Sequence, residues 1–239
     1  MPKILDFRAK SQQPFSIRAG KDKKSAEIVL YGSIGESWFG DSITAKQFSD
    51  EMKNLDPNVE EINVRINSPG GDCFDGITIY NRLKQHKAKI IVHIDGLAAS
   101  IASIIALAGD EVIMGEGALY MVHLPWTFAM GNRMELDSTI NSLMDVEEQM
   151  ISIYSRKSKL SRSEVKKLLE AETWMDASEA IDKGFVDKKA DEALPIAASA
   201  FDQKWIRKGP KSGFKSEQAA VDTVKNDLIK KIQERTARK

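Results

Sequence analysis

Gly96-Leu97-Ala98-Ala99-Ser100, running without a break into Ile101-Ala102-Ser103-Ile104-Ile105-Ala106-Leu107-Ala108-Gly109, decides how this chain is read. The apolar run Ile90-Ile91-Val92-His93-Ile94 before it predicts a strand, the small residues a tight turn, and the apolar stretch after it a buried helix, with a serine at the joint. Small residues around Ser100 let the backbone turn sharply and let another segment come close. The first N–H groups of the following helix have no partner inside it. Those donors, with the positive end of the helix dipole, suit a developing negative oxygen. Ser100 therefore stands where a nucleophile is needed, beside half of an oxyanion site.

Upstream, Ile62-Asn63-Val64-Arg65-Ile66 alternates like a strand and runs into Asn67-Ser68-Pro69-Gly70-Gly71-Asp72. A Pro-Gly-Gly turn ahead of a helical pattern at Ile77, Tyr80 and Leu83 predicts a second loop with free amides. A double glycine alone usually marks only a turn; the two loops together carry far more. Downstream, Ala118-Leu119-Tyr120-Met121-Val122-His123-Leu124-Pro125 reads as a strand with a histidine at its end, where loops gather and a general base would sit. The other candidates have plainer readings. His86 lies in a charged helix end and is expected to be solvated, His93 to lie on a strand face. Cys73, the single cysteine, has a poorer context than Ser100.

In this order, Asn67-Ser68-Pro69-Gly70-Gly71, Gly96-Leu97-Ala98-Ala99-Ser100 and Met121-Val122-His123-Leu124-Pro125 resemble the proteolytic subunit of the Clp protease, ClpP. The resemblance runs in register from about residue 28 to 187, roughly two thirds of the chain. It implies an α/β fold, a ClpP/crotonase-like stack of β-β-α units with a projecting handle helix. It implies a serine endopeptidase in which Ser100 is the nucleophile, His123 the general base, and the Gly71 and Ile101 amides the oxyanion hole. It calls for no cofactor and no metal.

The third catalytic position departs from the family's aspartate. In Glu172-Thr173-Trp174-Met175-Asp176-Ala177-Ser178-Glu179-Ala180, counting back from Glu179-Ala180 places that position on Glu172. A glutamate orients an imidazole as an aspartate does, with one more methylene to place. Asp176 is the rival, although with Glu179 it forms a capping-box helix start. A Ser-His pair without a third side chain also stays open.

The chemistry implied is acyl transfer, with His123 taking the Ser100 proton, then protonating the leaving amine, and water releasing the acyl-enzyme. Ile101, Phe128 and Met130 are expected to line the substrate pocket. The segment 40–48 and the Glu172-Thr173-Trp174-Met175 stretch resemble the ClpP-related head-maturation proteases of tailed phages and prophages more than the housekeeping subunit. That branch implies scaffold or capsid protein as substrate, with no ATPase required; the housekeeping reading would add a Clp ATPase. Other classes remain: an acyl-CoA enzyme of the same fold class, or an inactive ring scaffold.

Composition agrees with such an enzyme. Among 239 residues, 35 basic side chains balance 35 acidic ones, so no global field points to nucleic acid or an acidic membrane. One cysteine excludes an internal disulfide framework. The longest apolar run, residues 101–108, falls far short of the roughly 20 needed to span a bilayer, and the first residues show no signal-peptide pattern. A cytoplasmic location, in a bacterial cell or infected host, is expected.

Three parts are expected: residues 1–26 as an N-terminal arm or edge strand, 27–190 as the protease domain, and 191–239 as a linker and charged helical extension. A long helix is predicted from Met134, with Leu136, Ile140, Leu143, Val146, Met150 and Ile153 at spacings of three and four. In the resembled family this helix joins two homo-oligomeric rings face to face, and residues 126–131 form the inter-ring strand. Ser161 with Glu164 is expected to cap a shorter helix.

Overall fold

Period-two burial and parallel pairing organise the protein, whose computed structural model describes residues 14–20, 24–36 and 42–190. In chain order the elements are β1 (Phe15–Ala19), β2 (Ser25–Ile34), β3 (Ser42–Ile43), α1 (Ala45–Met52), β4 (Glu61–Gly71) and α2 (Cys73–Lys84). There follow β5 (Lys89–Ala99), α3 (Ile101–Ala106), β6 (Glu111–Met114), β7 (Leu119–Val122) and α4 (Arg133–Lys157). The described part closes with α5 (Arg162–Glu170), β8 (Thr173–Met175), α6 (Ala177–Lys183) and β9 (Lys188–Lys189). The extension expected over residues 191–239 and most of the N-terminal arm lie outside the described residues.

One sheet carries the strand order β1-β2-β4-β5-β6-β9, with β3 beside β2 and with β7 bridging β5 and β8. β2, β4, β5 and β6 are parallel neighbours, so α2 and α3 serve as crossovers, and the expected α/β architecture is present. Ile28, Leu30, Ile62, Val64, Ile66, Ile90, Val92 and Ile94 all point to one face and are fully buried with Phe48, Ile79, Leu83 and the whole of α3. Removing that much apolar surface from water is the main term holding the sheet to its helices.

The opposite face carries Tyr31, Arg65 and Asp95. Arg65 Nε and Nη2 donate to the two carboxylate oxygens of Asp95 at 2.9 and 2.5 Å, and the Tyr31 hydroxyl donates to the same carboxylate at 2.5 Å. Burial first, and the Asp95 charge after it, push the Tyr31 hydroxyl up to about 12. The fork-on-carboxylate geometry offsets the cost of burying the two groups.

Two segments read as turns prove to be strand. β4 continues through Pro69 and Gly70 to Gly71, still paired with β2, and β5 continues to Ala99. Register shifts at Tyr31/Ser33 and Ile66/Ser68 absorb the irregular residues without breaking the ladder. β5 changes partner along its length, pairing with β6 over 91–94 and with β7 over 97–99. The whole reversal is therefore confined to Ser100.

The long helix is present as α4, started by a capping box between Asn132 and Glu135. Its apolar stripe is packed only at the C-terminal end: Met150, Ile151, Ile153 and Tyr154 are buried, while Ile140 and Met144 are 55% and 59% exposed. Residues 123–131 form no strand with this chain's own sheet. Ser161 and Glu164 cap α5 as expected.

Candidate active site

Ser100 sits at φ 55°, a region L residues adopt only when the surroundings enforce it, at a cost of about 1–3 kcal/mol. It occupies the N-cap of α3, yet its hydroxyl does not cap that helix. Instead Ser100 Oγ lies 2.7 Å from His123 Nε2. The elbow is tied to β7 by the Ser100 N–H, which donates to the Met121 carbonyl at 3.0 Å. Because Ala99 pairs with Met121 across β5 and β7, His123 emerges just past the end of the neighbouring strand, level with the serine.

Burial lowers the pKa of His123, and the Glu172 charge opposes that shift. The ring is therefore neutral at pH 7 and offers an acceptor to the Ser100 proton. β7 and β8 run antiparallel with Val122 opposite Thr173, the residues next to His123 and Glu172 in the chain. Glu172 has φ 47° and an exposed carboxylate that accepts from Trp174 Nε1–H at 3.4 Å; among the described residues it makes no hydrogen bond to the imidazole. Asp176 is engaged elsewhere. Its carboxylate accepts the Glu179 N–H at 2.9 Å, and its own N–H donates to Glu179 Oε2, a complete capping box for α6. Of the two rival carboxylates, only Glu172 acts electrostatically on His123.

Gly70, at φ 93°, brings the end of β4 into contact with the elbow. A Cβ there would stand 2.7 Å from both Ser100 Cβ and the Ala99 carbonyl, and 3.2 Å from the Ile101 nitrogen. The neighbouring amides are engaged: Gly70 N–H donates to Ser68 Oγ at 3.1 Å and Asp72 N–H to the Ile34 carbonyl at 2.9 Å, with Gly71 between them. Gly71, at φ 146°, is pressed against the Ile34 backbone. Ile101 is the first helical residue of α3, so its N–H has no acceptor within the helix. Ser100, His123 and the Gly70–Gly71 end of β4 thus stand together at neighbouring strand ends of one chain.

The remaining expectations divide. Cys73 opens α2 half-buried, and burial with the nearby Asp72 raises its pKa, which keeps it a thiol. His93 does lie on a strand face, with Nε2 2.8 Å from Asn63 Oδ1. His86 is half-buried rather than solvated, because its Nδ1 accepts the Ala88 N–H at 3.1 Å and closes the turn after α2. A groove of about 340 Å³ runs from Gly71 and is walled by Phe74, Trp126, Leu143 and Val146. Phe128 and Met130 point to solvent, and the Ile101 side chain is fully buried against Gly76. Sequence reasoning missed Ser68 and Ser103, both fully buried polar side chains; for Ser103 a serine inside an apolar run was the available signal. No cluster of three or more His, Cys, Asp or Glu among the described residues could hold a metal ion.

Comparison with known proteins accords with this geometry. Residues 23–193, most of the chain, match the family model described as Clp protease. The chain belongs to the Clp protease family. This Clp protease is 24% identical over 196 residues to the ATP-dependent Clp protease proteolytic subunit of Deinococcus radiodurans, covering 80% of this chain and 93% of that one. It is 29% identical over 192 residues to the same subunit of Leuconostoc citreum, covering 78% and 92%. Its fold is that of a ClpP1 mutant from Listeria monocytogenes, with a TM-score of 0.60 at 22% identity over 71% of this chain and 92% of that one. Family and fold together make it a serine-type peptidase. No helix among the described residues is long and apolar enough to cross a membrane.

Proposed function

We propose that this Clp protease cleaves peptide bonds with Ser100 as nucleophile and His123 as general base. The contact that carries the reading is the 2.7 Å approach of Ser100 Oγ to His123 Nε2 at a strained, uncapped helix start. As Oγ attacks the peptide carbonyl, its proton passes to His123 Nε2, and the carbonyl oxygen becomes an oxyanion received by the Gly71 and Ile101 N–H groups. The C–N bond breaks as His123 returns the proton to the leaving amine. Water then attacks the acyl-enzyme, giving its proton to His123, and Ser100 is regenerated. Glu172 stabilises the imidazolium through its charge rather than through a direct hydrogen bond. Intact-mass measurement after fluorophosphonate treatment tests the assignment: one adduct on the parent protein and none on Ser100→Ala is expected, and equal labelling of both would overturn it.

The substrate reading is prohead maturation, the trimming of scaffold or capsid protein by a homo-oligomeric ring or double ring. It is supported by the resemblance of segment 40–48 and of the Glu172-Thr173-Trp174-Met175 stretch to that branch. The printed names of the relatives favour a second reading, a subunit fed by a Clp-type ATPase. Cleavage of a purified scaffold protein without ATPase or ATP separates them; turnover of protein substrates only with both present would establish the second.

A further inference from the structure

Ser103 lies three residues beyond Ser100, fully buried in α3, and its hydroxyl engages the elbow. Ser103 Oγ donates to the Ser100 carbonyl at 2.5 Å, and the Ser103 N–H donates to the same oxygen at 3.0 Å. Having given its proton away, Ser103 Oγ is left to accept, and the Tyr154 hydroxyl stands 2.6 Å from it as the donor. Tyr154 comes from the packed end of α4 and is completely buried. From the other side, the Tyr120 hydroxyl of β7 donates to the Ser103 carbonyl at 2.7 Å. Three buried hydroxyls from three elements therefore converge on one turn of backbone, in an otherwise apolar core. Burying them is costly unless each is satisfied, and each of the three is.

We infer that Ser103, backed by Tyr154, is a positioning residue for catalysis: its hydroxyl pins the Ser100 carbonyl and so holds the serine in the conformation that aims Oγ at His123. The inference rests on the reading of Ser100 as nucleophile. The physical case is that φ 55° at Ser100 is intrinsically unfavourable and must be over-determined by its surroundings. The Ser100 N–H bond to Met121 fixes one side of that residue and the two Ser103 donors fix the other. A chain of hydroxyl bonds in which each member polarises the next is stiffer than an isolated pair. Loss of the Oγ donor leaves a single backbone bond at the carbonyl and frees the elbow to relax, at the expense of nucleophile alignment.

Fluorophosphonate labelling rates and peptide kinetics on the assembled full-length protein test this, using Ser103→Ala, Tyr154→Phe and the double variant, with Ser100→Ala as control. Ser103→Ala is expected to lower both kcat and the labelling rate about tenfold with KM unchanged. It also strands the Tyr154 hydroxyl, so it is expected to melt at lower temperature. The double variant removes that stranded group and is expected to recover melting temperature while its labelling stays slow. Tyr154→Phe, which leaves the Ser103 donor in place, is expected to lose less rate than Ser103→Ala. A labelling rate equal to the parent in Ser103→Ala, or one that recovers together with stability in the double variant, would overturn the inference. Absence of a Ser100 adduct in the parent protein would instead overturn the nucleophile assignment, and this inference with it.

Discussion

Gly70 faces Ser100 across the site, so close that a methyl group at Gly70 would stand 2.7 Å from Ser100 Cβ. The end of β4 is thereby a wall of the nucleophile's elbow, and the spacing leaves room for hydrogen alone.

Gly70→Ala is expected to remove activity by at least about a hundredfold, because it forces either Ser100 or the Gly71 amide from its place and must itself adopt φ 93°. Peptide kinetics with sizing of the variant check this. Near-parental kcat in a correctly assembled variant would show that the two loops are not rigidly opposed.

The pH dependence follows from His123. Its pKa is held below the ordinary value of about 6.5 by burial, so the acid limb of kcat/KM is expected below that pH. The Glu172 charge acts in the opposite direction, so Glu172→Gln should move the limb to lower pH and reduce kcat about tenfold. Asp176→Ala should leave the limb in place and reduce only stability, by about 1 kcal/mol. A limb that moves with Asp176 and not with Glu172 would reverse the assignment.

All three histidines, His86, His93 and His123, have pKa values lowered chiefly by burial. The unfolded chain takes up protons at higher pH than the folded one. Stability from these rings is therefore complete above about pH 6.5 and is lost as the pH falls through their folded values. Urea midpoints across that interval should decline with acidification; a rise would contradict the burial seen here.

Arg65 and Asp95 are only 13% and 10% exposed, so removing one partner leaves a nearly buried charge. Arg65→Ala is expected to cost about 3–5 kcal/mol. Combining it with Asp95→Leu should restore a large part of that loss, as measured by chemical denaturation. Purely additive losses would mean that the pair is not coupled.

What was legible in the sequence was the chemistry placed at strand ends. Ser100 announces itself because small residues lead into it from one apolar run and a second apolar run follows, and His123 because an apolar run ends at it with a proline close behind. Asp176 was correctly read as a cap, since capping needs only a local spacing of three. Local reading failed where pairing decides. Pro69-Gly70-Gly71 has the composition of a turn, yet its backbone stays paired with β2. Arg65 finds Asp95, thirty positions along, only once β4 and β5 are in register. Periodicity also marked the whole stripe of α4 alike, although only the end near Tyr154 is buried; nothing in the spacing of Leu136 or Ile140 says that they stay exposed among the described residues.

That unmatched stripe links the enzyme's working life to its abundance. Among the described residues Trp126, Phe128, Met130, Met134, Ile140 and Met144 stand exposed, an apolar surface of the kind that marks a protein–protein contact. Covered by a second copy of this chain, it would contribute by mass action, so dilution would shorten the half-life of activity and lower the melting temperature, and Ile140→Glu would do the same at high concentration; activity and melting temperature independent of concentration would show that no second copy covers it. The machinery around Ser100 would then be switched on by crowding chains together and would fade as they disperse.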